Sequence, residues 1–320
     1  MLGKNEMENR YGPQPNDASP FMRKCRLLQS WYRVEVLREP ACGPWRPGGR
    51  IVGSTLVNGE TSGSNFLGAA AFAYAKEKVA EKASNPDLTI DEHRLFNNML
   101  SSHPMCFNLF ADLRAGVQRC CTNATAVLRA VFPESSIVQV ASVEVEMVPR
   151  PTSQYIDDKT GFDAAVLFTD GQGRPGLASI ETKYTDKLGN NTATKQDRKF
   201  HLADDLGLLT PEGCRWYATQ GFDQVARNLL LTLAYARRHG LHSAINYVLA
   251  PQEDQESQAV VATLQARLAE AFSHRIVWLP LEMVVQRGLA VADAPLAEHL
   301  RQFHRRYLAF DQIRHLLVHR

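Results

Sequence analysis

The sequence predicts an α/β fold built on one central mixed sheet with helices on both faces. Three observations predict it. The hydrophobic period along the chain runs helix, three strands, helix, strand, helix, strand. Two short segments, 163–168 and 176–182, are apolar on both faces, as strands covered from both sides are. Hydrophobic residues make up 44% of the 320 positions, enough for a sizeable buried core. The same composition excludes a disordered chain, which is poor in hydrophobes and high in net charge. With 36 Lys and Arg against 34 Asp and Glu the net charge is +2, so a grip on a polyanion must come from local placement of charge. No apolar run approaches the roughly 20 residues that cross a bilayer; the best, 225–236, is interrupted by Arg227 and Asn228. The N-terminus has no signal-peptide pattern. Cys25, Cys42, Cys106, Cys120, Cys121 and Cys214 form no C-x-x-C pair, which reads as reduced thiols in a cytoplasmic protein.

Residues 1–20 read as a flexible arm, because Gly12-Pro13-Gln14-Pro15 breaks regular structure. Leu27, Leu28, Trp31, Tyr32 and Val36 recur at helical spacing and predict a helix over 21–37. Dense breakers over 39–49 mark a boundary. The alanine-rich stretch 65–81 predicts a second helix, 91–100 a third, and 107–131 one long helix carrying Phe107, Phe110, Leu113, Val127 and Leu128. The period then changes to two over 137–148, where Val143, Val145 and Met147 face one way; Glu144 and Glu146 read as the exposed face of an outer strand, with metal binding the lesser alternative. The turn Thr169-Asp170-Gly171-Gln172-Gly173-Arg174-Pro175 joins the two apolar segments. A polar loop over 184–199, a helix over 218–238, and strands over 243–249 and 275–279 flanking a helix over 254–272 follow. The last helix, 295–310, sets Leu296, Leu300, Phe303 and Tyr307 on one face. The chain thus divides into an N-terminal arm and helix (1–50), a core (51–290) and a C-terminal basic helix (291–320).

Polar residues in a central strand are costly to bury unless they are paired or hold a metal, so Asp163, Glu181 and Lys183 need an explanation. Glu181 and Lys183 are two apart and share a face of their strand. A hairpin centred on Gln172 sets Asp163 directly opposite Glu181, on that same face. Two carboxylates so close repel, and a divalent cation such as Mg²⁺ relieves the repulsion. A neighbouring lysine positions a water or stabilises charge on a phosphate. These parts suit metal-assisted hydrolysis of a phosphodiester. From spacing alone, a surface hairpin with a cross-strand Lys–Glu pair is an equal alternative.

Gly161-Phe162-Asp163-Ala164-Ala165-Val166-Leu167-Phe168, the turn, and Ser179-Ile180-Glu181-Thr182-Lys183-Tyr184 together resemble the PD-(D/E)XK nuclease superfamily. Its restriction-endonuclease-like core runs αβββαβ, and the order predicted here is similar over about half the chain. A closer resemblance, over roughly residues 20–280, is to a bacterial group of restriction endonucleases in that superfamily. It rests on Ser101-Ser102-His103-Pro104-Met105-Cys106-Phe107-Asn108-Leu109-Phe110, Gly63-Ser64-Asn65-Phe66-Leu67 and Gln224-Val225-Ala226-Arg227-Asn228. Phe162 departs from the pattern, standing where the superfamily name has proline. The resemblance implies that Asp163 and Glu181 bind Mg²⁺ or Mn²⁺, that the Thr182 carbonyl completes the ligand set, and that Lys183 assists the attacking water. The superfamily often adds an acid from its first core helix, where only Asp112 is available; Asn108 could instead orient a ligand water or a phosphate.

Gln224, Arg227 and Asn228 form a polar stripe on an apolar helix, either touching the scissile phosphate or Lys183, or capping the core edge. Lys187, Lys195, Arg198 and Lys199 could close over a nucleic-acid backbone or belong to an ordinary surface loop. His103 reads equally as a packing, capping or catalytic residue. Arg301, Arg305, Arg306, Arg314 and Arg320 make the C-terminus locally basic. No P-loop pattern is present. The expected function is a metal-dependent endonuclease cutting DNA in restriction or antiviral defence, as a homodimer or with a defence-system partner, and away from membranes. Its rivals are an RNA-cleaving or repair nuclease of the same fold and a non-catalytic nucleic-acid-binding or scaffold protein.

Overall fold

The period-two segments become the strands of a single five-stranded sheet in a computed structural model, which describes residues 4–16, 19–186, 188 and 196–317. Before the sheet come helices α1 (Lys4–Tyr11), α2 (Pro20–Glu35), α3 (Gly59–Ser62), α4 (Ala69–Lys82), α5 (Glu92–Asn97), α6 (Ser102–Gln118) and α7 (Thr122–Val131). Strands β1 (Gln139–Met147), β2 (Phe162–Thr169) and β3 (Pro175–Thr182) follow, then α8 (Gln196–Leu206), α9 (Pro211–Gln220) and α10 (Gln224–His239). The chain continues through β4 (Ser243–Ala250), α11 (Gln255–Gln265), β5 (Ile276–Pro280), α12 (Leu281–Leu289), α13 (Ala294–Tyr307) and α14 (Arg314–Leu317).

The strands lie in sequence order. The β1–β2 and β2–β3 pairs are antiparallel, whereas β3–β4 and β4–β5 are parallel. The Asp170 carboxylate accepts from the backbone N–H groups of Gln172 and Arg174 and pairs with the Arg174 guanidinium at 2.8 Å, closing the β2–β3 turn. The resulting register, Ala164 opposite Ile180 and Thr169 opposite Pro175, is the one a turn centred on Gln172 requires. Parallel pairing of β3 with β4 needs a crossover, which α8, α9 and α10 supply.

Both faces of the sheet are buried, as the two-sided apolar segments demand. Ala164, Val166, Phe168, Ala178 and Ile180 pack with Phe107, Phe110, Val127 and Leu128 of α6 and α7. Ala165, Leu177 and Val248 pack with Leu229, Leu230 and Leu233 of α10. Phe303 and Tyr307 of α13 join the α6 side. The α/β architecture with one mixed sheet is therefore the one the sequence predicts.

The differences have local causes. The expected arm contains α1, whose Met7 and Tyr11 are buried with Leu27, Leu28 and Ile313. The long helix of 107–131 breaks in two where Cys120 takes a left-handed backbone (φ 56°). Gly116 permits the close packing of the halves, since a Cβ there would stand 2.8 Å from that of Ala124. The helix of 218–238 also divides: Gly221 turns the chain (φ 71°) and the Asp223 carboxylate caps α10 by accepting from the Ala226 N–H at 2.9 Å. The expected loop is helical from residue 196, and α12 was not foreseen. In β1 a bulge between Val140 and Ser142 shifts the alternation, so Val140 is buried while Gln139 and Ala141 are exposed. All six cysteines are free. Among the described residues no helix is long and apolar enough to cross a membrane.

Candidate active site

Asp163 sits at the start of β2 and Glu181 near the end of β3, where the Ala164–Ile180 pairing continued by one residue sets them opposite each other. The N-terminal half of α10 lies across them. Four residues of helix rise about 6 Å and two residues of strand about 6.6 Å, so the two elements match contact for contact. Thr232 bonds Ser179 at 2.7 Å, Asn228 donates to Glu181 Oε2, and Gln224 accepts from Lys183 Nζ at 3.3 Å. The Gln224 amide bridges, because its Nε2 also donates to Glu181 Oε1 at 2.7 Å. Lys183 Nζ lies 2.7 Å from the same oxygen. Asp163 is held from the other side: its Oδ2 accepts from the Thr182 N–H at 2.7 Å and the Thr182 hydroxyl at 2.9 Å. Its Oδ1 has no hydrogen bond among the described residues.

Glu181 is 1% exposed and Lys183 6%, a degree of burial that charged groups tolerate only when paired and hydrogen-bonded. Burial pulls the Lys183 ammonium down, but Glu181 and Asp163 outweigh it and hold the lysine above its ordinary range. Lys183 is thus a permanent cation and hydrogen-bond donor. Asp163 moves the other way: burial first, then the charges of Glu181 and Glu146, push its carboxyl up to about 8. A cleft of about 400 Å³ opens over this patch, lined by Glu146, Asp158, Asp163, Glu181, Arg227 and Asn228 among others.

This geometry joins a Asp…Glu-x-Lys set on adjacent strand ends to an αβββαβ order of elements. The profile of the family described as PD-(D/E)XK nuclease superfamily matches residues 15–309. The chain belongs to that superfamily. Comparison with curated proteins and with solved structures finds no match.

The superfamily is one of metal-dependent nucleases, and the donor set here fits a divalent cation. Asp163 and Glu181 offer hard carboxylate oxygens, and the crowding that keeps a proton on Asp163 is what a cation would relieve. Among the described residues no three His, Cys, Asp or Glu side chains converge closely enough to hold an ion by themselves. Carbonyl and water oxygens must therefore complete any ligand set, which suits a hard cation better than zinc.

The remaining sequence candidates separate. Arg227 and Asn228 line the cleft with Gln224. Arg227 is 7% exposed with Nε unpartnered, and Asn228 Oδ1 is likewise unpartnered. Asn108 is placed elsewhere: it is fully buried, accepts from the Leu67 N–H at 2.8 Å and donates to the Asn65 carbonyl and the Tyr307 hydroxyl at 3.0 and 2.8 Å. Its amide staples α6 to α13 and orients nothing in the cleft. Asp112 faces His299, 3.3 Å away. Lys199 is buried and pairs with Asp158 at 2.8 Å, so it steadies the cleft wall and is not an exposed grip on a backbone. Arg198 is exposed on α8 and donates to the Tyr155 carbonyl at 3.2 Å. Lys187 and Lys195 lie outside the described residues. Arg306, counted as part of a basic surface, is buried with its guanidinium on Asn65 Oδ1.

Two residues whose role the sequence left open come to the cleft. Glu146 lines it, and His103, at the start of α6, places Nε2 2.6 Å from Glu146 Oε1. Burial works to lower the histidine, but Glu146 and Asp163 prevail and raise it. The alternation of β1 was the available signal, but the loop to β2 is too long to fix the register from sequence.

Proposed function

We propose that this protein is a divalent-metal-dependent endonuclease that hydrolyses DNA phosphodiester bonds, with Mg²⁺ or Mn²⁺ held by Asp163, Glu181 and the Thr182 carbonyl. The observation that carries the reading is the convergence of Asp163, Glu181 and Lys183 at adjacent strand ends under the amides of α10. In an extended chain a residue's N–H and C=O point toward the same neighbouring strand. The Thr182 N–H meets Asp163, so its carbonyl is expected on the Asp163 side as well.

The bound cation supplies Lewis acidity and lowers the pKa of a water. The protein residues do the rest. Lys183, charged and anchored by Glu181 and Gln224, positions the attacking water and offsets the negative charge that builds on the phosphate. Gln224 and Asn228 fix the Glu181 carboxylate so that it presents one geometry. Arg227 offers its unpartnered Nε to a non-bridging phosphate oxygen. The wider reading, supported by the resemblance, is a cytoplasmic restriction or antiviral-defence enzyme with its catalytic core over 51–290, working as a homodimer or with a defence-system partner.

Labelled double-stranded DNA, single-stranded DNA and RNA of one sequence, incubated with Mg²⁺, Mn²⁺ or EDTA, test the substrate class. Metal-dependent internal cleavage of DNA is expected. Cleavage of RNA alone would replace the substrate, and no cleavage of any of the three with either metal would count against catalysis.

A further inference from the structure

We propose that Glu146 is a third acid of this centre, holding a water of the bound metal ion, and that His103 is the residue that positions it. The proposal rests on the catalytic reading above. Pairing of Val145 with Ala164 and of Met147 with Phe162 sets Glu146 across from Asp163. The backbone of Glu146 is left-handed (φ 52°), and the ladder passes from the Val145–Ala164 pair to the Met147–Phe162 pair in one register on either side of it. Non-glycine residues rarely adopt that conformation within a strand, and such outliers concentrate at functional sites.

The carboxylate is then fixed from outside the sheet. His103 reaches it at 2.6 Å, and both side chains are only 16% exposed. His103 is set in turn by the first turn of α6, where the Ser101 hydroxyl accepts the His103 N–H at 3.2 Å. One turn on, the Cys106 thiol donates to the Asp163 carbonyl at 3.2 Å, tying α6 to β2 beside the site. Across the cleft Arg227 and Asn228, both more than nine-tenths buried, each carry a polar atom without a partner among the described residues. The cleft wall is thus built for a polar guest. The acids do not converge closely enough to ligate one ion together. A hard cation that keeps several waters would place one of them within reach of Glu146, and partners of this kind commonly tune metal affinity 10- to 100-fold.

Mn²⁺ binding to the full chain, followed by the electron paramagnetic resonance of free Mn²⁺, tests this without any turnover. Asp163→Asn should nearly abolish binding. Glu146→Gln should weaken it roughly tenfold, and His103→Gln should weaken it less and add nothing to Glu146→Gln in the double variant. Glu146→Gly should bind Mn²⁺ as poorly as Glu146→Gln while its metal-free thermal midpoint does not fall, because glycine accepts φ 52° without strain. Wild-type Mn²⁺ affinity in both Glu146 variants, with Asp163→Asn impaired, would overturn the proposal and leave the catalytic reading standing. A loss of affinity that only accompanies a fallen midpoint would overturn it too, as a structural effect. Undiminished binding by Asp163→Asn would instead strike the catalytic reading itself.

Discussion

Glu181 receives three donors, from Lys183, Gln224 and Asn228, whereas Asp163 has one oxygen bonded and the other open. The difference is one of freedom: the Glu181 carboxylate is held in one geometry, and Asp163 keeps an oxygen free for a ligand. Lys183→Ala should therefore cut the hydrolysis rate by roughly 10²- to 10⁴-fold while leaving Mn²⁺ binding intact, because the carboxylates proposed to hold the metal remain; single-turnover rates and Mn²⁺ titration check the two halves. The raised pKa of Asp163, about 8, fixes a pH dependence. Metal binding must release the proton, so Mn²⁺ affinity should climb with pH until about 8 and then level. In the metal-free protein the sign is opposite. The folded state holds a proton that the unfolded state loses near its ordinary value, so this group's share of stability is complete below that value and lost as pH rises through about 8. Denaturant unfolding without metal across that range measures it. Asp163, Glu181 and Lys183 were legible in the sequence because a short turn fixes register by counting. Glu146 was not, since nothing local fixes the register across the long β1–β2 connection.

At the scale of elements, the contact between α10 and β3 carries the site. The helix repeat of four and the strand repeat of two give nearly equal steps, so Thr232, Asn228 and Gln224 meet Ser179, Glu181 and Lys183 in order. Asn228→Leu would leave Glu181 buried with one donor fewer, and a lost bond to a charged group costs about 1.5–3 kcal/mol; urea unfolding should show that loss. Asn108→Ala offers the contrast. It should destabilise by about 1–3 kcal/mol through the unpaired Leu67 N–H and Tyr307 hydroxyl, with Mn²⁺ affinity unchanged. The strands and most helices could be read from period and two-sided burial. The breaks could not: a cysteine in a left-handed conformation at residue 120 has no sequence signature, and the turn at Gly221 lay inside an otherwise helical pattern.

For the whole molecule, the segments beyond the central sheet are part of its packing. The Gln29 amide donates to the Arg306 carbonyl at 2.7 Å and to the Tyr184 hydroxyl at 3.1 Å, joining α2, α13 and the residue after the Glu-x-Lys set. Chain ended after Leu289 would lose Leu296, Leu300, Phe303 and Tyr307 from the core. At about 1.5–3 kcal/mol for each buried side chain, that loss approaches the roughly 5–15 kcal/mol by which a folded protein is stable. Such a truncation should melt without a cooperative transition by circular dichroism. Balanced total charge concealed this arrangement, for Arg306, counted with the basic C-terminal residues, serves the interior. The central claim is that Asp163, Glu181 and Lys183 form a metal-dependent phosphodiesterase centre. Conversion of supercoiled plasmid to nicked and linear forms by wild type and Lys183→Ala, with Mg²⁺ or Mn²⁺ and with EDTA, tests it most directly. The account predicts cutting by the wild type with metal and almost none in the other lanes; equal cutting in all lanes, or none by the wild type with either metal, would contradict it.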